Sequence, residues 1–204
     1  MKTPKDTNVS RVAKLERKTK ETSVFAEINL DGTGQYNITT GIGFFDHMLE
    51  QLSKHSLIDI TIKAEGDLHI DAHHTAEDVG ITLGQVIKEA VGDKRGIRRY
   101  GHFDLVMDEA RTSCSLDLSN RPYLKWDVNF SVDKLGDMDT ELFQEFFHAL
   151  AGNAGITLHV SQLAGTNNHH IIEASFKAFA KALRMALEID PRAENTLPST
   201  KGAL

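Results

Sequence analysis

The sequence has a single cysteine, Cys114, and no apolar run that approaches the ~18 residues of a membrane span. One thiol cannot form a disulfide within the chain, which excludes a secreted disulfide scaffold. Basic residues are in deficit as well, because 23 Lys+Arg stand against 29 Asp+Glu and give a formal net charge of −6. This balance argues against sequence-independent nucleic-acid binding. We therefore expect neither nucleic acid nor a membrane among the partners.

The start of the chain lacks the apolar segment of a secretory signal. Its basic residues are typical of a transit peptide, but Asp6 and Glu16 interrupt that pattern. We interpret residues 1–20 as a frayed terminus that leads into a strand. We expect a cytoplasmic protein, with a processed organelle protein as the alternative.

Hydrophobic periodicity predicts strands and helices in an order that recurs along the chain. The first part is predicted to contain two strands joined as a hairpin, a helix, a strand and a helix, over residues 22–30, 35–40, 44–54, 57–64 and 75–91. The second part is predicted to contain three strands, a helix, a strand and a helix, over residues 103–110, 112–118, 123–130, 140–151, 156–163 and 168–187. This recurrence indicates an internal repeat.

Short motifs recur in the same order as these elements. Phe44-Phe45-Asp46-His47 in the first half corresponds to Phe146-Phe147-His148 in the second. A His-His-x-x-Glu segment follows in each half, and the two His-His pairs lie 96 residues apart. The matching motifs indicate that the two halves are related by duplication.

The predicted fold is α+β, with tandem duplicated halves of β-β-α-β-α type. In each half the helices are expected to cover one face of an antiparallel sheet, and two such halves would pack their helices together. Without a flexible linker between the halves, residues 1–204 are expected to form one pseudo-symmetric unit. The repeats would span about 20–93 and 101–190, and residues 193–204 form a terminal loop.

Ten histidines are present, and most belong to the duplicated pattern. Adjacent residues on a helix diverge by about 100°, so the two rings of each His-His pair should point apart and serve different ions. Residues three or four positions apart share a helix face, so each Glu lies above one histidine of its pair. The candidate metal ligands are His47, His73, His74, Glu77, His148, His169, His170 and Glu173. Such nitrogen and oxygen donors suit Mn, Fe, Ni or Zn.

The remaining candidates are weaker, since each is also compatible with an ordinary solvated side chain. His55 lies eight residues past His47, about two turns along the same face if the helix continues that far. The other unmatched histidines carry no such signal. Guanidinium, ammonium and hydroxyl groups suit a phosphate, and they occur at Arg95, Arg98, Arg99, Arg121, Ser199 and Lys201. The acid–base candidates are carboxylates at strand ends, namely Glu21, Asp108 and Glu109.

Taken together, these motifs resemble the imidazoleglycerol-phosphate dehydratase family over nearly the whole chain, from about Arg17 onward. The resemblance is carried by six segments, which are residues 17–22 (RKTKET), 43–49 (GFFDHML), 71–78 (DAHHTAED), 145–150 (EFFHAL), 168–173 (NHHIIE) and 198–202 (PSTKG). One departure is Asn120, where the family usually has glycine before the arginine.

The resemblance implies a four-helix layer over an antiparallel or mixed sheet, in a fold like ribosomal protein S5 domain 2. It implies two Mn(II) ions per active site, bound by the eight candidate ligands. It also implies that ligands come from more than one subunit, in a homo-oligomeric shell of 24 chains. Arg99, Arg121, Ser199 and Lys201 would hold the substrate phosphate. Glu21 would act as acid–base, and the segment 47–55, with Gln51 and His55, would line the pocket.

The implied activity is that of a hydro-lyase in L-histidine biosynthesis. It would dehydrate imidazole glycerol phosphate, a small-molecule phosphate, to imidazole acetol phosphate through a metal-bound imidazolate. A non-catalytic metal-binding or storage assembly is one alternative, because helix-borne His and Glu also build such sites. A dinuclear metallohydrolase is the other. A storage protein would have no use for the phosphate-binding candidates.

Overall fold

The structure is a computed structural model, and it describes residues 11–204. The expectation of a frayed terminus lies largely in residues 1–10, outside the described residues. The first half contains β1 Val12–Lys18, β2 Thr22–Asn29, β3 Tyr36–Thr39, α1 Gly43–Ser56, β4 Asp59–Gly66 and α2 His73–Val91. The second half contains β5 Tyr100–Met107, β6 Ala110–Asp117, β7 Tyr123–Asp127, β8 Lys134–Leu135, β9 Met138–Asp139, α3 Glu141–Ala154, β10 Thr157–Ala164 and α4 Asn168–Leu187.

Two four-stranded sheets have the same topology, with strand orders β1-β2-β4-β3 and β5-β6-β10-β7. Each sheet is mixed, because β3 runs parallel to β4 and β7 runs parallel to β10. Both parallel pairs are joined through a helix, and a crossover connection of that kind produces parallel strands. The predicted α+β class with four helices and a mixed sheet is confirmed.

The predicted hairpin between the strands near residues 22–30 and 35–40 is wrong. Strand β2 lies between β1 and β4, and β3 pairs with the far edge of β4. The turn after β2 instead docks on β4, where Asp59 Oδ1 accepts hydrogen bonds from the backbone N–H groups of Thr33 (2.8 Å) and Gln35 (2.9 Å). The periodicity predicted β3 itself, but it contains no information about which strand would be its partner.

The helices join the two halves into one core. Helix α1 packs against α4, and α2 packs against α3, while α2 also covers the first sheet and α4 the second. The close approach of α2 to α3 requires glycine: a Cβ at Gly80 would lie 2.7 Å from Phe146 O, and one at Gly84 would lie 2.6 Å from Leu150 O. Within residues 11–204, no helix is long and apolar enough to cross a bilayer.

The two halves align in a defined register. Ser56 ends α1 and Ala154 ends α3, 98 residues later. The residues after them, Leu57 and Gly155, both have left-handed backbone conformations, with φ of 62° and 69°. Strands β4 and β10 begin at the same separation. The short β8–β9 hairpin lies before α3 and has no counterpart before α1 in the described part of the chain, which accounts for extra length in the second half.

Candidate metal centre

The first group of potential ligands lies where α1 packs against α4. His47 Nε2 is 3.5 Å from Glu173 Oε2, and His169 Nε2 is 2.9 Å from the same oxygen. The three ligand atoms all lie within 4.8 Å of one another. Among residues 11–204, this is the one group of three or more His, Cys, Asp or Glu side chains that meets this criterion. The helix packing therefore brings together residues more than 120 positions apart in the sequence.

Glu173 is kept negatively charged by its neighbours. Its side chain is only 8% exposed, and burial by itself would raise the pKa of a carboxyl group. Hydrogen bonds from Lys177 Nζ (2.6 Å) and from His169 outweigh that effect, so the pKa of Glu173 lies below its usual value. An ionised carboxylate beside two imidazoles is suited to a divalent cation.

The pocket-lining candidates follow on α1. Gln51 Nε2 lies 3.5 Å from His47 Nδ1, one turn along the helix. Helix α1 extends to Ser56, so His55 lies on it as well. Burial, followed by the positive charges of Lys177 and Lys181, lowers the pKa of His55, which favours the neutral imidazole.

The other His-His pair begins α2. His73 Nε2 is 3.9 Å from Glu77 Oε2, whereas His74 Nδ1 is 2.9 Å from Asp67 Oδ2. The two ring planes are inclined by 88°, and the centroids are 6.1 Å apart. The hydrogen bond from His74 lowers the pKa of Asp67 and raises the pKa of His74. The rings of this pair thus have separate carboxylate partners.

The pair on α4 repeats this divergence. His169 faces Glu173, while His170 Nδ1 is 2.8 Å from Glu109 Oε2 and its Nε2 is 3.7 Å from Asp108 Oδ2. The ring planes are inclined by 83°. The hydrogen bond with His170, assisted by backbone N–H donors, lowers the pKa of Glu109 to about 2. In both segments the glutamate lies next to the first histidine of the pair, which is four residues earlier in the chain. The spacing alone did not decide which histidine of each pair would face the glutamate.

The helix register changes the match made for His148. At a separation of 98 residues, His47 corresponds to Glu145, and His148 corresponds to Glu50. The Phe-Phe-His motif had instead matched His47 to His148, which lies about one helical turn after Glu145. His148 is exposed on α3, whereas Glu145 is half-buried. Glu145 is a candidate ligand that sequence reasoning missed, because the register that matches it to His47 is given by the common start and end of α1 and α3 in the structure.

Glu21 lies in the tight turn between β1 and β2. The Thr19 hydroxyl accepts hydrogen bonds from the backbone N–H groups of Glu21 (3.1 Å) and Thr22 (3.0 Å). The buried Asp78 of α2 binds Arg17 (2.6 Å) and the Thr22 hydroxyl, which fixes the turn on the start of α2. As a result, Glu21 Oε2 lies 3.9 Å from His74 Nε2, and the acid–base candidate adjoins a candidate ligand.

The two arginines predicted to bind phosphate converge on Asp117, at the end of β6. Arg99 donates from Nε to Oδ1 (2.7 Å) and from Nη2 to Oδ2 (3.0 Å), and Arg121 Nη2 is 3.4 Å from Oδ2. Arg99 also donates to the carbonyl of Pro198 (2.7 Å), next to Ser199. The bond to Asp117 raises the pKa of Arg99. Sequence reasoning missed Asp117, because its bidentate partner Arg99 lies 18 residues earlier in the chain.

The terminal loop folds back on itself beside these arginines. Ser199 Oγ donates to the carbonyl of Ala203 (2.8 Å) and accepts from the backbone N–H of Lys201 (3.2 Å), while the Lys201 side chain is exposed. Asn120 adopts a φ of 56°, a conformation that glycine favours and asparagine tolerates. Its side chain accepts from Lys94 Nζ (2.7 Å) and donates to Leu204 O (3.0 Å).

The donor set fits a divalent metal ion. Each His-His-x-x-Glu segment presents imidazole nitrogens and an adjacent carboxylate, and no thiolate takes part, since Cys114 is buried elsewhere. Hard and borderline ions such as Mn(II) prefer such ligands. His47, His169 and Glu173 would hold such an ion at the α1–α4 contact, and it would supply positive charge there.

Known proteins of one family are similar to this chain. The profile of the imidazoleglycerol-phosphate dehydratase family matches residues 40–183. An imidazoleglycerol-phosphate dehydratase of Jannaschia sp. (strain CCS1) is 61% identical over 194 residues, which cover 95% of this chain and 100% of the relative. The crystal structure of imidazoleglycerol-phosphate dehydratase from Staphylococcus aureus subsp. aureus N315 has a TM-score of 0.80 at 39% identity and covers 88% of this chain and 99% of that one. IGPD from Pyrococcus furiosus, in complex with (S)-C348, has a TM-score of 0.80 at 38% identity, covering 93% and 100%.

Proposed function

The chain belongs to the imidazoleglycerol-phosphate dehydratase family, and from that premise we propose that it is a metal-dependent hydro-lyase whose ions are held by the two His-His-x-x-Glu segments. Its reaction is the dehydration step of histidine biosynthesis, from imidazole glycerol phosphate to imidazole acetol phosphate. We assign it to the cytoplasm. The observation that carries the metal proposal is the convergence of His47, His169 and Glu173 on one point.

The metal we propose is Mn(II), with two ions per active site. His47, His169 and Glu173 supply one group of donors, and His73, Glu77, His74 and His170 supply the others. His148, predicted from the motif match, remains a proposed ligand. Glu145 competes with it, because the helix register places Glu145 at the position of His47.

Self-association would complete the ligand sets. The two rings of each pair point apart, and the donors at the start of α2 form no group of three within residues 11–204. Large apolar side chains are exposed on one face of the second sheet, including Val106 (68%) and Tyr123 (57%). These side chains are available for contact with a neighbouring subunit. We therefore propose that the sites form between subunits of a large homo-oligomer, a 24-mer by family resemblance.

The residues of the chain then divide the work of dehydration. Loss of water requires a hydroxyl to leave one carbon of the glycerol side chain and a proton to leave its neighbour. A bound divalent ion supplies positive charge that favours deprotonation of the imidazole ring. Glu21, beside His74, is placed to take or return the proton at its carboxylate. Gln51 and His55 line the α1 side, and Arg99, Arg121, Ser199 and Lys201 hold the phosphate.

The test is a dehydratase assay on the intact assembly after removal of metal with a chelator. We expect activity to fall to background and to return with Mn(II). His169→Ala should lose both metal and activity, whereas the control His159→Ala should keep both, because His159 packs beside Tyr123 on a strand. Full activity in the stripped protein, or no product from the metal-loaded assembly, would contradict the proposal.

The alternatives predict different products. A storage assembly would bind metal without converting the substrate, and a dinuclear metallohydrolase would release inorganic phosphate. The grouping of Arg99 and Arg121 around Asp117 supplies guanidinium groups for a phosphate, for which a storage assembly would have no use. His73→Ala should reduce both metal content and sedimentation coefficient. Full metal content with an unchanged sedimentation profile would count against interfacial sites.

A further inference from the structure

Two carboxylates outside the predicted ligand set bind the second histidine of each pair. We propose that Asp67 and Glu109 are positioning residues that orient His74 and His170, fixing the proton on Nδ1 so that Nε2 is free to bind metal. This inference rests on the proposed metal centre and adds to it the groups that hold its ligands in place.

Asp67 makes this contact in the first half. It follows Gly66 at the end of β4, its side chain is only 12% exposed, and Oδ2 lies 2.9 Å from His74 Nδ1. An ionised carboxylate can only accept, so His74 Nδ1 must carry the proton. A neutral imidazole with its proton on Nδ1 has its lone pair on Nε2. That nitrogen faces the side on which Glu21 lies, at 3.9 Å.

Glu109 makes the same contact in the second half, from a different part of the fold. It lies in the turn between β5 and β6, and its Oε2 is 2.8 Å from His170 Nδ1. Its other oxygen accepts from the backbone N–H groups of Thr166 (3.2 Å) and Asn167 (2.8 Å), just before α4. The carboxylate is thus fixed at both oxygens, and it holds the ring relative to the start of the helix.

The recurrence is informative because the two carboxylates are not equivalent by duplication. Asp67 precedes its helix in the chain, whereas Glu109 comes from the turn between the first two strands of its sheet. Both nevertheless bind Nδ1, and both leave Nε2 near a second carboxylate, Glu21 at 3.9 Å or Asp108 at 3.7 Å. Histidine ligands of metals usually donate their other N–H to such a group, which sets the tautomer and raises the basicity of the ligand.

The experiment is equilibrium binding of Mn(II) to the chelator-stripped, full-length assembly, with bound metal measured by elemental analysis. Loss of such a partner typically weakens metal affinity about 10- to 100-fold. We expect about tenfold for Asp67→Asn, which keeps the shape, and up to about a hundredfold for Asp67→Ala. Glu109→Gln should act in the same way through His170. Asp67→Glu, which restores a carboxylate, should recover most of the affinity.

Asp104→Asn is the matched control, because Asp104 binds only Arg111 in a bidentate pair and has no histidine partner in its hydrogen bonds within residues 11–204. Unchanged sedimentation and thermal midpoints in Asp67→Asn would show that the affinity change is not a folding defect. Wild-type affinity in both Asp67→Asn and Glu109→Gln, or tighter binding, would overturn the inference. Absence of Mn(II) binding by the wild-type assembly would instead refute the proposed metal centre itself.

Discussion

Replacement of Asp117 by asparagine tests whether the phosphate end of the site is organised by this one carboxylate. Asp117 receives two hydrogen bonds from Arg99, at 2.7 and 3.0 Å, and it lies 3.4 Å from Arg121. The pair Asp104–Arg111 has the same bidentate geometry between β5 and β6, at 2.9 and 2.6 Å, whereas Arg99 lies one residue before β5. Asp104→Asn is therefore the matched control.

The magnitude follows from exposure and charge. The side chains of Arg99 and Asp117 are 9% and 18% exposed, against 54% and 33% for Arg111 and Asp104, so solvent screens the Asp117 pair much less. Hydrogen bonds to charged groups contribute about 1.5–3 kcal/mol each. Because the substituted amide could still accept one bond and Arg99 keeps its bond to Pro198 O, we expect Asp117→Asn to lose about 2–3 kcal/mol in the free energy of unfolding. The control should lose less than about 1 kcal/mol.

The kinetic consequence is a change in substrate binding. A displaced Arg99 weakens contacts that the substrate and the transition state share, which raises KM more than it lowers kcat. We expect KM for imidazole glycerol phosphate to rise about 10- to 100-fold, equivalent to about 1.4–2.7 kcal/mol, with kcat within about threefold of wild type. Steady-state kinetics and denaturant unfolding of Asp117→Asn and Asp104→Asn measure both effects. An unchanged KM in Asp117→Asn, or an equal rise in the control, would refute this reasoning.

Three further predictions concern other parts of the molecule. Burial lowers the pKa of Lys94 from 10.5 to about 8, so between these two pH values the unfolded state binds one more proton and the free energy of unfolding rises with pH. Lys94→Met should abolish this rise of up to about 3 kcal/mol in denaturant unfolding measured across that pH range. A pH slope equal to that of the wild type would contradict this prediction. Glu145→Gln should lower Mn(II) content more than His148→Ala does, as elemental analysis would show, and the reverse order would favour the motif match over the helix register. Gly101→Ala places a Cβ against the backbone of α4 and should lower the free energy of unfolding by about 3 kcal/mol. The control Gly152→Ala, which has open space around the new Cβ, should leave the free energy of unfolding unchanged. Equal thermal midpoints for the two variants would contradict this prediction.

Local features of the sequence predicted most of the helices and strands. Helix α4 spans 168–187, as expected, because its apolar stripe is continuous and Asn167 caps it by accepting from the N–H groups of His169 and His170. The strand β1 was not predicted, since the alternation over Val12–Lys18 is weak and only Ala13 is fully buried. The hairpin between β2 and β3 was predicted wrongly because long-range packing determines which strands pair, and hydrophobic periodicity contains no information about it.

The candidate site shows the same division between local and distant contacts. The spacing of His-His-x-x-Glu predicts that the two rings diverge, because helix geometry is local, and the rings are inclined by 88° and 83°. The partners Asp67, Glu109 and Asp117 could not be predicted, since they meet their targets through tertiary packing over 7, 61 and 18 residues of chain. The match of His148 to His47 differs from the helix register for a similar reason, because a short motif resemblance competed with the alignment of a whole helix.

The central claim is that this dehydratase works through metal ions bound by the duplicated histidines and glutamates. Its most direct test is Mn(II) titration of the stripped assembly, with bound metal and formation of imidazole acetol phosphate measured on the same samples. We predict that activity appears only as metal binds and reaches its maximum at two ions per active site. Activity at the full rate before any metal is bound, or metal binding to saturation without product, would contradict it.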